Sequence, residues 1–387
     1  MTRFEQEPVG CDPAGQFVYE RHLESRTIVI RELKLLYVAV PKAAWTSLLT
    51  LLADLAGLPR SAFTGSLKPE VTMPMAVHDM AIWRRAGRVL ETLEAHERDQ
   101  ALTGNDWFRF TVVRDPASRL WSAWQSKLLM REPAYADTFG DQPWFPRIPT
   151  NPDQIVEDFR AFTLALRERA WDDSVRDVHW APQHLLAHRL PLGHVGRVER
   201  LEDTLNALRA HLSGGAVVPT ALPQENRALL AFTPGLYDEK SADTVADLYA
   251  DDYTHFGYTP TRVEGEADRA LERWEQRTAE LLPALCEMIA RHERLGALHA
   301  AMDRRHQAGS QRRDRQRERI EALEHRARTH RERAAHQRER IVHLRGQVEK
   351  VTGERNTLRR EVRRMLESRS WRLTRPVRAL SRMLRRG

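Results

Sequence analysis

Residues 33–49 read LKLLYVAVPKAAWTSLL, and the fold follows from how this stretch is parsed. Leu35 to Val40 is an apolar run rich in β-branched residues, and Pro41 ends it. Lys42, two alanines and Trp45 come next, then the hydroxyls of Thr46 and Ser47, then an apolar periodicity that reads as helix. A strand, a tight loop and a helix N-terminus present backbone N–H groups and the positive end of a helix dipole to an anion. Gly57 and Pro59 are ordinary stop signals for that helix.

Asn105 to Leu129 (NDWFRFTVVRDPASRLWSAWQSKLL) repeats the arrangement. Trp107 to Val113 reads as a buried strand, Arg114-Asp115-Pro116 breaks it, and Leu120, Trp124 and Leu128 recur at helical spacing. His194 to Glu199 is a third strand candidate ahead of a helix carrying Leu201, Leu205, Leu208 and Leu212, and Thr27–Ile30 is a short one. Strands alternating with helices predict a parallel sheet covered on both faces. Asn151-Pro152 starts a helix with the stripe Ile155, Phe159, Phe162 and Leu166. A charged helical segment is expected over Ile82 to Leu102, a loop near a site over 131–150, and a linker over Gly214 to Gln224.

The net charge of +7 hides a division. From Asp303 to Gly387 there are 27 Lys and Arg against 11 Asp and Glu, a net of +16, so the preceding 34 basic and 43 acidic residues carry −9. The globular part is acidic, which argues against a nucleic-acid-binding domain. Cys11 and Cys286 supply neither a disulfide framework nor a metal set. With no signal-peptide pattern and no apolar run approaching a bilayer span, a cytoplasmic setting is expected.

The Lys42 loop is not that of a nucleoside-triphosphate kinase. Such a loop has the form GxxxxGK[ST], with a metal-binding hydroxyl directly after the lysine. Here Ala43 holds that position, the loop has no glycine, and Thr46 and Ser47 come four and five residues later. An anion that needs no metal fits better. Arg114 at a strand end and Ser122 two helical turns on supply a guanidinium and a hydroxyl for a second, separate anion.

These residues carry a resemblance. Pro41-Lys42-Ala43-Ala44-Trp45-Thr46-Ser47 resembles the 5′-phosphosulfate loop of sulfotransferases, and Arg114 to Ala123 (RDPASRLWSA) resembles their 3′-phosphate motif. His179-Trp180, Pro182-Gln183, Val195 to Glu199 and Tyr249 to Tyr258 are similar to later signatures of the carbohydrate branch that includes the chondroitin and HNK-1 enzymes. The resemblance spans Leu33 to Tyr258. It implies that Lys42, Ala43, Ala44, Trp45, Thr46 and Ser47 hold the 5′-phosphosulfate of 3′-phosphoadenosine 5′-phosphosulfate (PAPS), with Arg114 and Ser122 on its 3′-phosphate, and no metal. Lys42 and His78 are the implied catalytic pair, His78 because relatives place a catalytic His or Glu in that loop; His184 and His179 are the next candidates for the base. Trp45 departs from the small residue or cysteine usual in the loop.

Beyond Glu264 the pattern is helical, and from Ile320 to Met365 apolar positions alternate at spacings of three and four without a slip. Three of the fourteen seam positions are polar and two are alanine, which still describes a coiled coil and favours a homo-oligomer. Ser368 to Gly387 abandons the heptad and mixes Trp371, Leu373, Val377 and Leu380 with arginines, a composition suited to an anionic membrane surface. Residues 370–376 also resemble the ends of bacterial surface-polysaccharide enzymes.

The expected architecture is therefore an N-terminal segment (1–32), a three-layer α/β domain with a P-loop-like central parallel sheet (33–262), a helical extension (263–319), a coiled coil (320–367) and a basic tail (368–387). The expected activity is sulfuryl transfer from PAPS to a hydroxyl of a glycan or glycolipid, in a bacterial enzyme working at the inner membrane face. A coiled-coil scaffold with a relic domain is the competing reading, and it predicts no binding of a bisphosphorylated adenosine.

Overall fold

The computed structural model describes residues 13–66, 73–168, 175–213, 217–223, 228–263 and 266–383. Cys11, Gln224 and Leu384 lie outside them. Four strands form one sheet among these residues: β1 (Ile28–Ile30), β2 (Leu35–Val38), β3 (Phe108–Val113) and β4 (His194–Arg197), in that spatial order. β2, β3 and β4 are parallel, and β1 is antiparallel to β2. The α/β class expected from the alternating pattern is the one observed.

The helices are α1 (Pro13–Arg26), α2 (Trp45–Leu55), α3 (Met80–Arg85), α4 (Ala95–Thr103), α5 (Pro116–Trp124), α6 (Pro133–Phe139) and α7 (Pro152–Glu168). They continue with α8 (His184–Ala187), α9 (Leu201–His211), α10 (Glu239–Leu248), α11 (Ala250–Phe256), α12 (Glu266–Glu367), α13 (Arg369–Leu373) and α14 (Arg375–Met383). Side chains alternate across a strand, and both faces of β2 are apolar. Leu35, Tyr37 and Ala39 pack with Leu48, Leu49 and Leu52 of α2 and with Leu205 and Leu208 of α9. Leu36, Val38 and Val40 pack with Leu23 of α1, Ala101 of α4 and Leu186 of α8. Each buried leucine of α2 contributes roughly 1.5–3 kcal/mol, so burial rather than local propensity anchors this helix behind its loop. Gly196 in β4 is required by packing, because a Cβ there would fall 1.9 Å from Thr204 Oγ1 on α9.

A second core lies beside the sheet. Trp121 and Trp124 of α5 meet Phe159 of α7 and Trp274 of α12 in edge and stacked contacts. Asn151 Oδ1 accepts the Gln154 amide at the start of α7, and Ile155, Phe159, Phe162 and Leu166 are all buried, as their spacing predicts. The first turns of α12 belong to this core: Leu285 and Ile289 are buried, Trp274 Nε1 donates to Ala231 O at 2.7 Å, and His292 Nδ1 lies 2.7 Å from Met130 O.

Two sequence expectations need correction. Residues 131–150 are not simply a loop at a site: α6 forms there, and Tyr135, Phe139 and Trp144 are buried because their large apolar rings complete the second core. Ile82 to Leu102 is not one helix. It breaks at Gly87, whose positive φ of 65° suits glycine, and resumes only at α4, behind a capping box of Glu94 and Glu97.

The chain divides into two compact units, with the boundary between Ala301 and Met302. The second is built from the remainder of α12 with α13 and α14. The heptad pattern ends where α12 does, and the Ser368 side chain then caps α13 by accepting from the Trp371 amide.

Candidate active site

The loop after β2 turns sharply without glycine. Lys42 and Ala44 both adopt positive φ, 68° and 55°, at a cost of about 1–2 kcal/mol each for a residue with a Cβ. Alternating handedness of this kind curls successive amides toward one concave side. Ala44 offers no side-chain cap to α2, so the first turn of the helix is not closed by a side chain of its own N-cap.

A cavity of about 1210 Å³ opens in front of this loop. Lys42, Ala44, Trp45, Thr46, Ser47, His78, Arg114 and Ser122 all line it, so the two motifs converge as their spacing predicts. Ala43 does not line it; its side chain is buried with Val40 and Leu186, and only its backbone is available to the loop. Lys42 Nζ donates to Ser126 Oγ at 2.8 Å, and no carboxylate among the described residues lies within 4.0 Å of it. Burial, followed by the charges of Lys127, Arg114 and Arg119, lowers its pKa to about 7 against a weaker opposing pull from Glu132. An ammonium held this way, among like charges and without a counter-ion, is set for an anion.

Arg114 likewise has no carboxylate within 4.0 Å among the described residues. Its Nε donates to Ser118 Oγ at 3.1 Å, and burial lowers its pKa against the opposing charges of Glu199 and Asp115. Its backbone is clamped: the Gln183 side chain accepts from the Arg114 amide at 2.9 Å and donates to its carbonyl at 2.8 Å. Gln183 and His184 donate their amides to the buried carboxylate of Asp252. Tyr258 donates to Glu199 at 2.8 Å, and Glu199 accepts the Asp115 amide at 3.0 Å. The later signatures are thus braces for the Arg114 turn. Asp115 serves as the cap of α5, accepting from the Ser118 amide.

Arg119 joins the loops. Its guanidinium is 1% exposed and donates to Pro41 O at 2.9 Å, Ala181 O at 2.7 Å and Val178 O at 3.3 Å. One buried side chain therefore ties the Lys42 loop to the segment that carries His179.

His78 Nε2 lies 2.9 Å from Thr46 Oγ1, which puts the imidazole against the Lys42 loop. Burial, then Lys127 and Arg26, lowers its pKa to about 3, so the ring is neutral at ordinary pH. Trp45 stands edge-on to His78 at 4.5 Å and to His22 at 6.0 Å, so the bulky ring walls the loop and holds His78 in place. The Trp45 Nε1 is buried without a hydrogen-bond partner among the described residues. Ser47 Oγ donates to Pro223 O at 2.9 Å.

His179 also lines the cavity. Its Nδ1 is 2.7 Å from Asp177, and Tyr135 donates to the same carboxylate at 3.2 Å, leaving Nε2 outside that pair. Burial and Lys127 lower the His179 pKa against the pull of Asp177. His184 instead pairs through Nδ1 with Asp252 at 2.8 Å and lines no part of the cavity.

Sequence reasoning missed Arg26, His22, Lys127, Ser126 and Asp177. Ser126 and Lys127 sit in a single π turn, Gln125–Leu129, that continues α5. The insertion of one residue into a helix is frequent at functional sites, and it has no signature in apolar periodicity. A lone lysine in that apolar helix was the available signal.

The sulfotransferase family model matches residues 25–259, which is most of the first unit and more than half of the chain. The chain belongs to the sulfotransferase family. Membership implies PAPS as the sulfuryl donor. The residues fit such a donor: two cations without carboxylate partners, Lys42 and Arg114, line one cavity, each on the loop after a parallel strand. Neither the curated proteins nor the solved structures contain a match to this sulfotransferase. Among its described residues no helix is long and apolar enough to cross a membrane.

Proposed function

We propose that this sulfotransferase moves the sulfuryl group of PAPS to a hydroxyl of a carbohydrate or glycolipid, in the manner of the carbohydrate branch. The observation that carries this reading is that Lys42 and Arg114, neither with a direct carboxylate ion pair among the described residues, line one cavity with Ser47 and Ser122. Lys42 and the loop amides take the 5′-phosphosulfate, with Thr46 and Ser47 beside it, and Arg114 with Ser122 takes the 3′-phosphate. The acceptor oxygen attacks sulfur, the bond from sulfur to the 5′-phosphate oxygen breaks, and Lys42 stabilises the charge left on that phosphate. Calorimetry with adenosine 3′,5′-bisphosphate and with AMP tests the assignment. Wild type should prefer the bisphosphate by a factor of about ten or more, and Arg114→Ala should lose that preference while still binding AMP. Comparable affinity for both in the wild type, or none for either, would sink the reading, and the absence of any binding is the outcome the scaffold predicts.

The acceptor proton goes to His78 in this reading, because His78 stands at Thr46 inside the loop. His179 is the second candidate on one specific observation, its orientation by Asp177. Loss of a general base costs about 10²–10⁴ in kcat. His78→Ala should show that loss, with His179→Ala affected tenfold or less; the reverse order reassigns the base to His179.

The acceptor proposal draws on the tail, where Trp371, Leu373 and Val377 lie among arginines and Arg378 stacks on Trp371 at 3.4 Å. That composition suits the face of an anionic membrane, where glycolipid precursors reside. Radiolabelled sulfate should enter the lipid or polysaccharide fraction of the native cell only when the protein is present. Label confined to small soluble phenols would refute a glycan acceptor.

A further inference from the structure

Among the described residues the apolar seam of α12 is an exposed face. Ile320, Leu323, Ile341, Leu344, Val348 and Val351 are between 49% and 65% exposed. What covers them can be decided by comparing the two ways in which a second copy can lie along the helix, because the flanking charges differ sharply between them.

In a parallel, in-register pair each seam residue meets itself. Ala327 faces Ala327, Gln337 faces Gln337, and Arg355 brings two guanidinium groups together at a core position. The flanking pairs are worse. Arg326 meets Arg331, Arg333 meets Arg338, and Arg340 meets Arg345, all repulsive, against only Arg319 with Glu324 and Glu354 with Arg359 as attractions.

Turning the second copy around a two-fold axis between Val342 and His343 changes every term. Ile320 then meets Met365 and Leu323 meets Val362, while the small Ala327 and Ala334 meet the larger Leu358 and Val351. His330 meets Arg355, which gathers two of the three polar seam residues into one layer. At the flanks Arg326 meets Glu361, Arg333 meets Glu354, and Arg359 meets Glu324, leaving only Arg338 against Arg345 as a like pair. Gly346 and Gly353 fall on the outer side in either arrangement, so they disturb neither.

We propose that α12 pairs with a second copy of itself as an antiparallel two-stranded coiled coil centred between Val342 and His343. The inference goes beyond the proposed reaction and does not depend on it. Alternative occupants, including an acidic helix of another protein, make the full chain a monomer in isolation.

The test uses the full chain with Cys11 and Cys286 replaced by serine and one spin label at Ala322→Cys, an exposed position off the seam. At 1.5 Å rise per residue, the antiparallel pair puts the two labels about 60 Å apart, and a parallel pair puts them within about 25 Å. The short distance, or a monomer by sedimentation at micromolar concentration, overturns the proposal. Charge reversal gives an independent readout. Arg333→Glu should raise the dimer dissociation constant on the order of tenfold by opposing Glu354, and Arg333→Glu with Glu354→Arg should restore it. A parallel pair predicts the opposite for the single variant, tighter association through relief of the Arg338 clash.

Discussion

Lys42→Met should lower kcat by about 10²–10³, the range seen when one preorganised charge-stabilising donor is removed. Its binding of adenosine 3′,5′-bisphosphate should weaken far less, because Arg114 remains on the other phosphate. The pH dependence makes the assignment specific. In the free protein the Lys42 pKa is lowered to about 7 by burial and by Lys127, Arg114 and Arg119. A bound dianion opposes that lowering by supplying counter-charge beside the ammonium, so the pKa rises in the complex. Affinity is then level below about pH 7 and falls by up to tenfold per pH unit above it, since a proton must be taken up for each ligand bound. Calorimetry at pH 8 in buffers of differing ionisation enthalpy should register that uptake in the wild type and none in Lys42→Met. The same sign applies to kcat/KM, which reports the free enzyme: it should decline on the alkaline side of pH 7, while the low pKa of His78 keeps its base form present down to about pH 3. Proton release on binding, or a pH-independent affinity, would contradict the role given to this lysine.

Arg119→Met should be the most damaging single change to the fold of the site. The guanidinium serves three backbone carbonyls, those of Pro41, Ala181 and Val178, in a place where water does not reach. An unmet buried acceptor costs about 1–3 kcal/mol, so the loss is about 3 kcal/mol or more out of a total of roughly 5–15 kcal/mol for a domain. The urea midpoint should drop accordingly. Arg119→Lys should not restore it, because one ammonium cannot span the fork that a planar guanidinium covers. A variant that keeps wild-type stability and bisphosphate affinity would show that the Lys42 loop is held by β2 and α2 alone.

How much of this was legible beforehand depends on the range of the interactions concerned. Leu35–Val38 and Phe108–Val113 are strands because apolar runs end at Pro41 and Pro116, and the chain states this locally. The two motifs around Lys42 and Arg114 are likewise local, each contained within one strand end, loop and helix start. Trp45 could not be read that way. Its partners, His22 and His78, lie 23 and 33 residues away on α1 and beside α3, and only folding brings their rings to it. The same holds for Arg119, which reads as one arginine in an amphipathic helix until the Pro41 and Ala181 carbonyls arrive. The aromatics of 131–150 read as loop because proline interrupts their period, yet their burial depends on α7 and α12 closing over them.

The sequence by itself determined the order of strands and helices, the two strand–loop–helix motifs that carry Lys42 and Arg114, the absence of a kinase-type hydroxyl after Lys42 and the heptad register from Ile320 to Met365. All are properties of neighbours in the chain, set by side-chain periodicity and by the few residues that end a strand or helix. Tertiary structure alone decided which histidine faces the Lys42 loop, which cations lack a carboxylate partner and which residues hold the loops together. Those depend on contacts across tens of residues, where the energy of a buried charge is set by what surrounds it rather than by its place in the chain.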